Sequence, residues 1–364
     1  MIPETLKTKG IVRKAQDGFT VAELLVASAI LALLVVLLLS MVTQTSKTWK
    51  ATSGKIEEFR DARDAFDTIT RRMGQATLNT YLDYDNPANP KAYMRQSELR
   101  FLSGTTTNIL GNILTTTNPT MGVFFQAPNG FSTNSTNSIL QNALNTWGYF
   151  IEYGSDSNSR PGFLPLGAPA PRYRYRLMEL MEPTENLSVY NYTSGNRNYT
   201  NIDWISNSMA LITNRPAHVL AENVIAMIVL PKLSPTDKSN WNSQGSNYSD
   251  ASLAPNFTYN SSTNLNSISP VDPNLNTHHQ LPPVIQVTLV AVDETSAVRF
   301  ANTYSNLMSA NSPQGYANLF QSASNLPIDL ANLGSILASK QINYRIFTTD
   351  VMIKGAKWSG SQTN

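Results

Sequence analysis

Gly18-Phe19-Thr20-Val21-Ala22-Glu23-Leu24-Leu25-Val26-Ala27 opens an apolar run that continues to Val42. Residues 19–42 make a stretch of 24 whose one ionisable side chain is Glu23. At about 1.5 Å per residue, a helix of that length spans roughly 36 Å, enough to cross the hydrocarbon of a bilayer. Residues 1–18 are short and basic, with Lys7, Lys9, Arg13 and Lys14 against Glu4 and Asp17. A secretory signal has a shorter apolar stretch, about 7–15 residues, ending at a small-residue cut. Here the run is longer, and the glycine that could be cut stands before it. The excess of Lys and Arg ahead of the span places residues 1–18 in the cytoplasm and everything after about residue 43 outside it.

Composition narrows the classes. The chain has 364 residues, a formal charge of +2, 14% charged residues and no cysteine. Near-neutrality offers no broad basic field for nucleic acid. The lack of cysteine removes disulfides, thiolate metal sites and a Cys nucleophile together.

The segment around Gly18 resembles the cleavage and methylation site of type IV prepilins and type II secretion pseudopilins. In that superfamily a membrane aspartyl protease, the prepilin peptidase/methyltransferase, cuts after the glycine and methylates the new N-terminal phenylalanine. The glutamate at the fifth mature position serves assembly. The matching positions are Gly18, Phe19 and Glu23. The residues themselves agree, because a carboxylate inside an apolar span is costly and calls for a partner or a function. In a stack of subunits, the α-amino group on a neighbour's Phe19 could supply that charge. Two positions depart from the common pattern. Asp17 stands where many members have Lys or Arg, and Leu39 and Ser40 stand near where many pilins have a proline. The resemblance implies four partners: the peptidase, other pilins or pseudopilins through the N-terminal helix, an inner-membrane assembly platform, and the lipid bilayer. It also implies a single-pass bacterial inner-membrane protein with a periplasmic head that can be drawn into a filament.

Beyond the span, Trp49, Ile56, Phe59, Phe66, Ile69 and Met73 recur at spacings of 7, 3, 7, 3 and 4. This is one apolar helical face, and charges of both signs fill the other. Asp67/Arg71 is a favourable i,i+4 pair, and Glu57/Asp61 is like-charged. No proline falls between Phe19 and Asn86, so one helix is expected from residue 19 to about 78. Its first half, 19–42, crosses the membrane, and 43–80 is an amphipathic extension that can lie on a sheet.

Residues 81–364 read as a head of strands separated by polar loops. Strand patterns fall at residues 97–102, 122–125, 147–153, 172–180, 219–230, 284–292 and 344–349. In Arg172-Tyr173-Arg174-Tyr175-Arg176-Leu177, alternation sends tyrosines to one face and leaves the arginines exposed on the other. The expected fold is therefore α+β, a long N-terminal helix packed on an antiparallel, pseudopilin-like head. Residues 103–120, 128–146 and 233–280 are polar and read as surface insertions or mobile loops.

The order of these segments resembles the minor pseudopilin J group of type II secretion. Residues 66–84, with Arg71-Arg72 and Ala76-Thr77-Leu78-Asn79-Thr80-Tyr81, resemble the group called Verru_Chthon cassette protein C. No constellation for catalysis stands out. The histidines are His218 and the adjacent His278-His279, without metal-ligand spacing, and the latter two read as a solvated loop. Asp83 and Asp85 read as a turn ending the helix more readily than as calcium ligands. No cofactor, metal or nucleic-acid partner is expected. The reading from another functional class is a membrane-anchored surface binding protein or adhesin that uses the same β-rich head.

Overall fold

A computed structural model describes residues 20–84, 86, 88–110, 120–137, 139–156, 172–190, 203–209, 215–263, 272–303 and 319–358. The leader 1–18, Phe19 and Asp85 lie outside the described residues. The chain divides into two units, Met1–Ile56 and Glu57–Asn364.

Helix α1 (Val21–Glu58) holds a stretch from Val21 to Trp49 long and apolar enough to cross a membrane. Every side chain in residues 21–49 is exposed. Such a length of bare Leu, Ile and Val is far beyond what a water-facing helix carries, and suits lipid. Four hydroxyls in this stretch, those of Ser28, Thr43, Thr45 and Thr48, are returned to the helix backbone, Thr43 to the Leu39 carbonyl at 2.7 Å and Thr45 to the Met41 carbonyl at 2.8 Å. A polar group so satisfied is tolerable in hydrocarbon.

The single helix expected to residue 78 is corrected at two places. Helix α1 stops at Glu58, Phe59 stands between the two helices at φ −96° and ψ −1°, still in the right-handed region, and α2 runs over Arg60–Met73. Phe59 is partly buried against the head, and the following Arg63 N–H still bonds its carbonyl at 3.1 Å. After Gly74 the chain is taken into the sheet region, where the Thr77 N–H donates to the Gln126 carbonyl at 2.9 Å. Helix α2 buries Ala62, Ala65, Phe66, Ile69 and Met73 on one face, whereas Trp49 is exposed.

The head is built on two antiparallel sheets and a hairpin. Strands β1 (Tyr81–Tyr84) and β2 (Tyr93–Gln96) form the hairpin. Strands β3 (Phe101–Thr105), β4 (Met121–Ala127), β5 (Asn145–Ser155) and β6 (Tyr173–Glu182) follow, with α3 (Thr106–Leu110) after β3. Next come α4 (Asp203–Met209), β7 (Ala217–Glu222), β8 (Val224–Lys232), α5 (Pro235–Ser243) and β9 (Tyr259–Asn260). The chain closes with β10 (Val284–Val292), α6 (Glu294–Thr303), α7 (Leu326–Ser339) and β11 (Tyr344–Met352). The larger sheet has the order β7-β6-β5-β4-β3-β9 and the smaller β11-β10-β8.

The larger sheet is covered on both faces. Val123, Phe125, Trp147, Tyr149 and Leu177 enter the main core with α2 and the smaller sheet. Phe124, Phe150, Met178 and Leu180 point the other way, into a second cluster with Ile109, Trp204 and Ile205. This double cover explains why β4 reads as an unbroken apolar run. It also overturns the exposed-arginine reading of β6, because Arg174 and Arg176 are 6% and 4% exposed. Arg174 Nη2 pairs with Glu294 at 2.7 Å, and Arg176 Nη1 donates to the Gly154 and Ser155 carbonyls at 3.3 Å.

The expected insertions also differ. Ser103 and Thr106 are fully buried, as are Leu253, Phe257 and Tyr259, and β9 pairs with β3 through Ser103↔Tyr259. A few apolar residues diluted among Asn and Ser thus complete a sheet. In the 128–146 segment, Asn145 Nδ2 donates to the Phe131 carbonyl at 2.6 Å, and Glu185 accepts from the Thr133 N–H at 2.7 Å. Residues 111–119, 138 and 264–271 of these segments are outside the described residues.

One residue joins the two sheets. The apolar run 219–230 reads as a single strand, but Asn223 adopts φ +61° and splits it into β7 in one sheet and β8 in the other. Its N–H donates to the Tyr175 carbonyl at 2.8 Å, and its carbonyl accepts from the Val292 N–H at 2.9 Å. Asparagine tolerates this left-handed conformation and a β-branched residue does not. Asn223→Val is therefore expected to lower head stability by about 1–3 kcal/mol, and Asn223→Gly by less. Urea denaturation of both variants measures the difference, and equal losses would show that backbone conformation is not what matters there.

Candidate functional site

The described chain begins at Thr20, inside the motif. The Thr20 N–H and hydroxyl donate to Glu23 Oε2 at 2.9 and 3.0 Å, while the Glu23 N–H donates to Thr20 Oγ1 at 3.3 Å. This is a reciprocal capping box, with Thr20 as N-cap and Glu23 three residues on. It satisfies donors that a helix start otherwise leaves open, and it sets a carboxylate at the positive end of the helix dipole. Thr20 was not singled out from the sequence, although the Thr-x-x-Glu spacing that could have found it is plain there.

Residues 13–39 match the family model described as the prokaryotic N-terminal methylation motif. The chain carries a prokaryotic N-terminal methylation motif. That motif supports a type IV pilin-like prepilin, a class whose members are usually structural, and together with the apolar helix it supports membrane anchoring. No curated protein and no solved structure matches the chain. Of the motif residues, Glu23 is described; Gly18 and Phe19 lie outside the described residues.

The head's candidate residues separate rather than converge. His218 lies on β7 and His279 is 1% exposed, so the solvated-loop reading of His278-His279 is corrected. Asp83 sits on β1, not at a helix end. Among the described residues no group of three His, Asp or Glu is placed to hold a metal.

What the fold does assemble is a polar cluster where α2 crosses the larger sheet. Glu179, 3% exposed on β6, takes an ion pair from Arg72 of α2. It also accepts from the Tyr149 hydroxyl at 2.8 Å and from His218 Nε2 at 2.9 Å. Arg72 stacks over Trp147, its Cζ 4.0 Å from the ring. Burial pushes the Tyr149 phenol up, which keeps it a donor. Burial, and then the charge of Arg72, hold His218 below the ordinary imidazole range, so it serves Glu179 as a neutral donor. The carboxylate is thus matched by one cation and two neutral donors. The pairing sits at the base of an open cleft, but its geometry is that of a fastener for α2. Nothing in it forms a nucleophile with its base.

Removing Arg72 strands a buried carboxylate, so Arg72→Met is expected to cost about 3–5 kcal/mol. Arg60, paired with Asp64 at 3.9 Å in full solvent, is the contrast, and Arg60→Met should cost less than about 1 kcal/mol. Denaturation midpoints of the two variants decide between them.

Acid should act through the histidines. Burial holds His278 down, and burial with the charges of His278, Arg100 and Arg95 brings His279 to about 3. All three imidazoles are harder to protonate in the folded head than in the unfolded chain. The unfolded state therefore binds more protons once the pH drops below about 6.5, and stability falls with it. His279→Asn, which keeps a residue tolerant of the local φ of +54°, should flatten that fall between pH 6.5 and 4. A slope unchanged by the substitution would exclude His279 as its source.

Proposed function

We propose that this chain is a structural minor pilin or pseudopilin subunit of a type IV pilus-like or type II secretion filament. Prepilin peptidase cuts after Gly18, Phe19 becomes the methylated N-terminus, and Glu23 acts in assembly with other subunits. The observation that carries the reading is Glu23: a carboxylate in the first turn of an otherwise apolar, membrane-length helix, within a matched methylation motif. Thr20 holds this carboxylate through its backbone N–H, one residue beyond the amine that cleavage at Gly18 would create. In the subunit alone the capping box satisfies Glu23. In a filament, the neighbour's new amine would offer a full positive charge in low dielectric, a stronger partner than two neutral donors. The inner-membrane platform and the peptidase are the further partners on this reading, with the head on the periplasmic side.

Intact mass of the protein from its native membrane should correspond to a chain that starts at N-methylated Phe19. Gly18→Arg should leave residues 1–18 attached. Glu23→Val should be cut normally yet drop out of any isolated filament by at least tenfold, since its loss removes the charge and not the cleavage site. A native chain that retains its leader, or a Glu23→Val subunit that incorporates like wild type, would sink this assignment.

A further inference from the structure

Among the described residues, β11 is the one edge of the two sheets that is neither short, interrupted nor covered. At the other edges, β9 is two residues long and β7 is broken by a register shift against β6. The outer amides of β8 are taken up, Met227 N–H by Thr120 Oγ1 at 3.1 Å and Val229 N–H by Met121 Sδ at 3.4 Å. Strand β11 runs for nine residues in unbroken register with β10 and has no proline, lysine or bulge. Such an edge is a template for another strand.

Three bonds fix which backbone groups of β11 are spent on β10. The Ile353 N–H donates to the Pro283 carbonyl at 3.1 Å, and the Asn343 carbonyl accepts from the Asp293 N–H at 3.2 Å. The Val292 N–H, opposite Tyr344, turns away to the Asn223 carbonyl. Odd-numbered residues therefore face β10, and the N–H and C=O groups of Tyr344, Ile346, Thr348 and Asp350 point outward. No described residue bonds to those outward backbone groups, and the side chains of Ile346, Thr348 and Asp350 are exposed. Past Asp350 the edge is met by the end of α2, where the Lys354 N–H donates to the Gly74 carbonyl at 3.1 Å.

The two faces beside this edge differ. On the Ile346 side, α7 and β11 leave an open groove of about 390 Å³, lined by Ala331, Gly334, Ala338, Tyr344 and Ile346 among others. On the opposite face Arg345 is exposed, its Cζ 5.6 Å from the Phe347 ring, and no acid among the described residues pairs with it. Asp350, the other charge of the strand, is already answered by Lys232 at 3.2 Å. The edge thus offers unpaired backbone, an apolar groove on one side and one unbalanced cation on the other.

We propose that β11 takes up an extended segment of another polypeptide as an antiparallel fourth strand, with an acidic residue opposite Arg345 flanked by apolar residues that enter the α7 groove. A second copy of β11 does not meet the charge requirement. In antiparallel pairing about a two-fold axis each residue faces one of its own parity, so Arg345 never meets Asp350. The proposal is independent of the prepilin reading.

Full-length protein in non-ionic detergent can be titrated, by fluorescence anisotropy, with the labelled peptide Thr-Val-Thr-Val-Glu-Val-Thr. Its Glu would lie opposite Arg345 and its three valines opposite Thr348, Ile346 and Tyr344. Saturable binding is the expected result. N-methylation of the middle valine, whose N–H faces β11, should weaken binding roughly tenfold or more, whereas N-methylation of the threonine before it, whose N–H faces away, should leave it unchanged. Arg345→Glu, at an exposed position, should weaken binding several-fold and favour the peptide with Lys in place of Glu. Ile346→Pro removes an outward N–H that β10 does not use, a change edge strands tolerate, and should abolish binding. The proposal is overturned if the peptide does not bind saturably, if both N-methylated peptides bind alike, or if Arg345→Glu shows no change in preference. Dimerisation of the full-length chain that Ile346→Pro removes would also overturn it, by making a second copy the occupant.

Discussion

The head depends on how one buried carboxylate is answered. Glu179 lies on the inner face of β6, where a lone charge would be expelled by the low dielectric. Arg72 meets it from α2, Tyr149 from β5 and His218 from β7. Three elements separated in sequence are therefore brought into register by one group, and α2 cannot slide along the sheet without breaking the match. The apolar contacts of Phe66, Ile69 and Met73 give the helix its affinity for the core. The charge gives it a position, the more specific use of a buried polar contact.

Much of this architecture was legible in the chain. The span announced itself by length and by the isolation of Glu23, and the strand segments β3 to β8, β10 and β11 by β-branched and aromatic runs, with β7 and β8 read as one. What was hidden falls into two kinds. Some features depend on a single backbone angle, as at Asn223, where a run with no break in hydropathy turns a corner between sheets. Others depend on what covers a surface. Arg174 and Arg176 alternate like solvent-facing residues, yet Glu294, Glu222 and the β5 carbonyls close over them. Leu253, Phe257 and Tyr259 were lost in a field of Asn and Ser because three apolar residues make no period, yet each is fully buried.

The N-terminal site was legible to a different depth. The residues of the motif were readable as a resemblance, but Thr20 as partner to Glu23 is a matter of hydrogen-bond geometry. The cleft next to Arg71 was not legible at all. The Arg71-Arg72 pair is visible in the chain, but only folding assigns Arg72 to Glu179, and no acid among the described residues pairs with Arg71.

The placement of Arg72 on the last turn of α2 bears on how the head carries tension. A pull arriving along the chain from the membrane side enters at Phe59 and works on α2 from its first turn. Ala62, Ala65 and Phe66 would peel in sequence, each resisting with little more than its own apolar contact. The ionic fastening is met last, at the far end, beside Met73 and next to the strands that anchor it. A helix tied this way is held hardest at its C-terminal end, so its first turns are the part that can come away from the sheet without unmaking the ion pair.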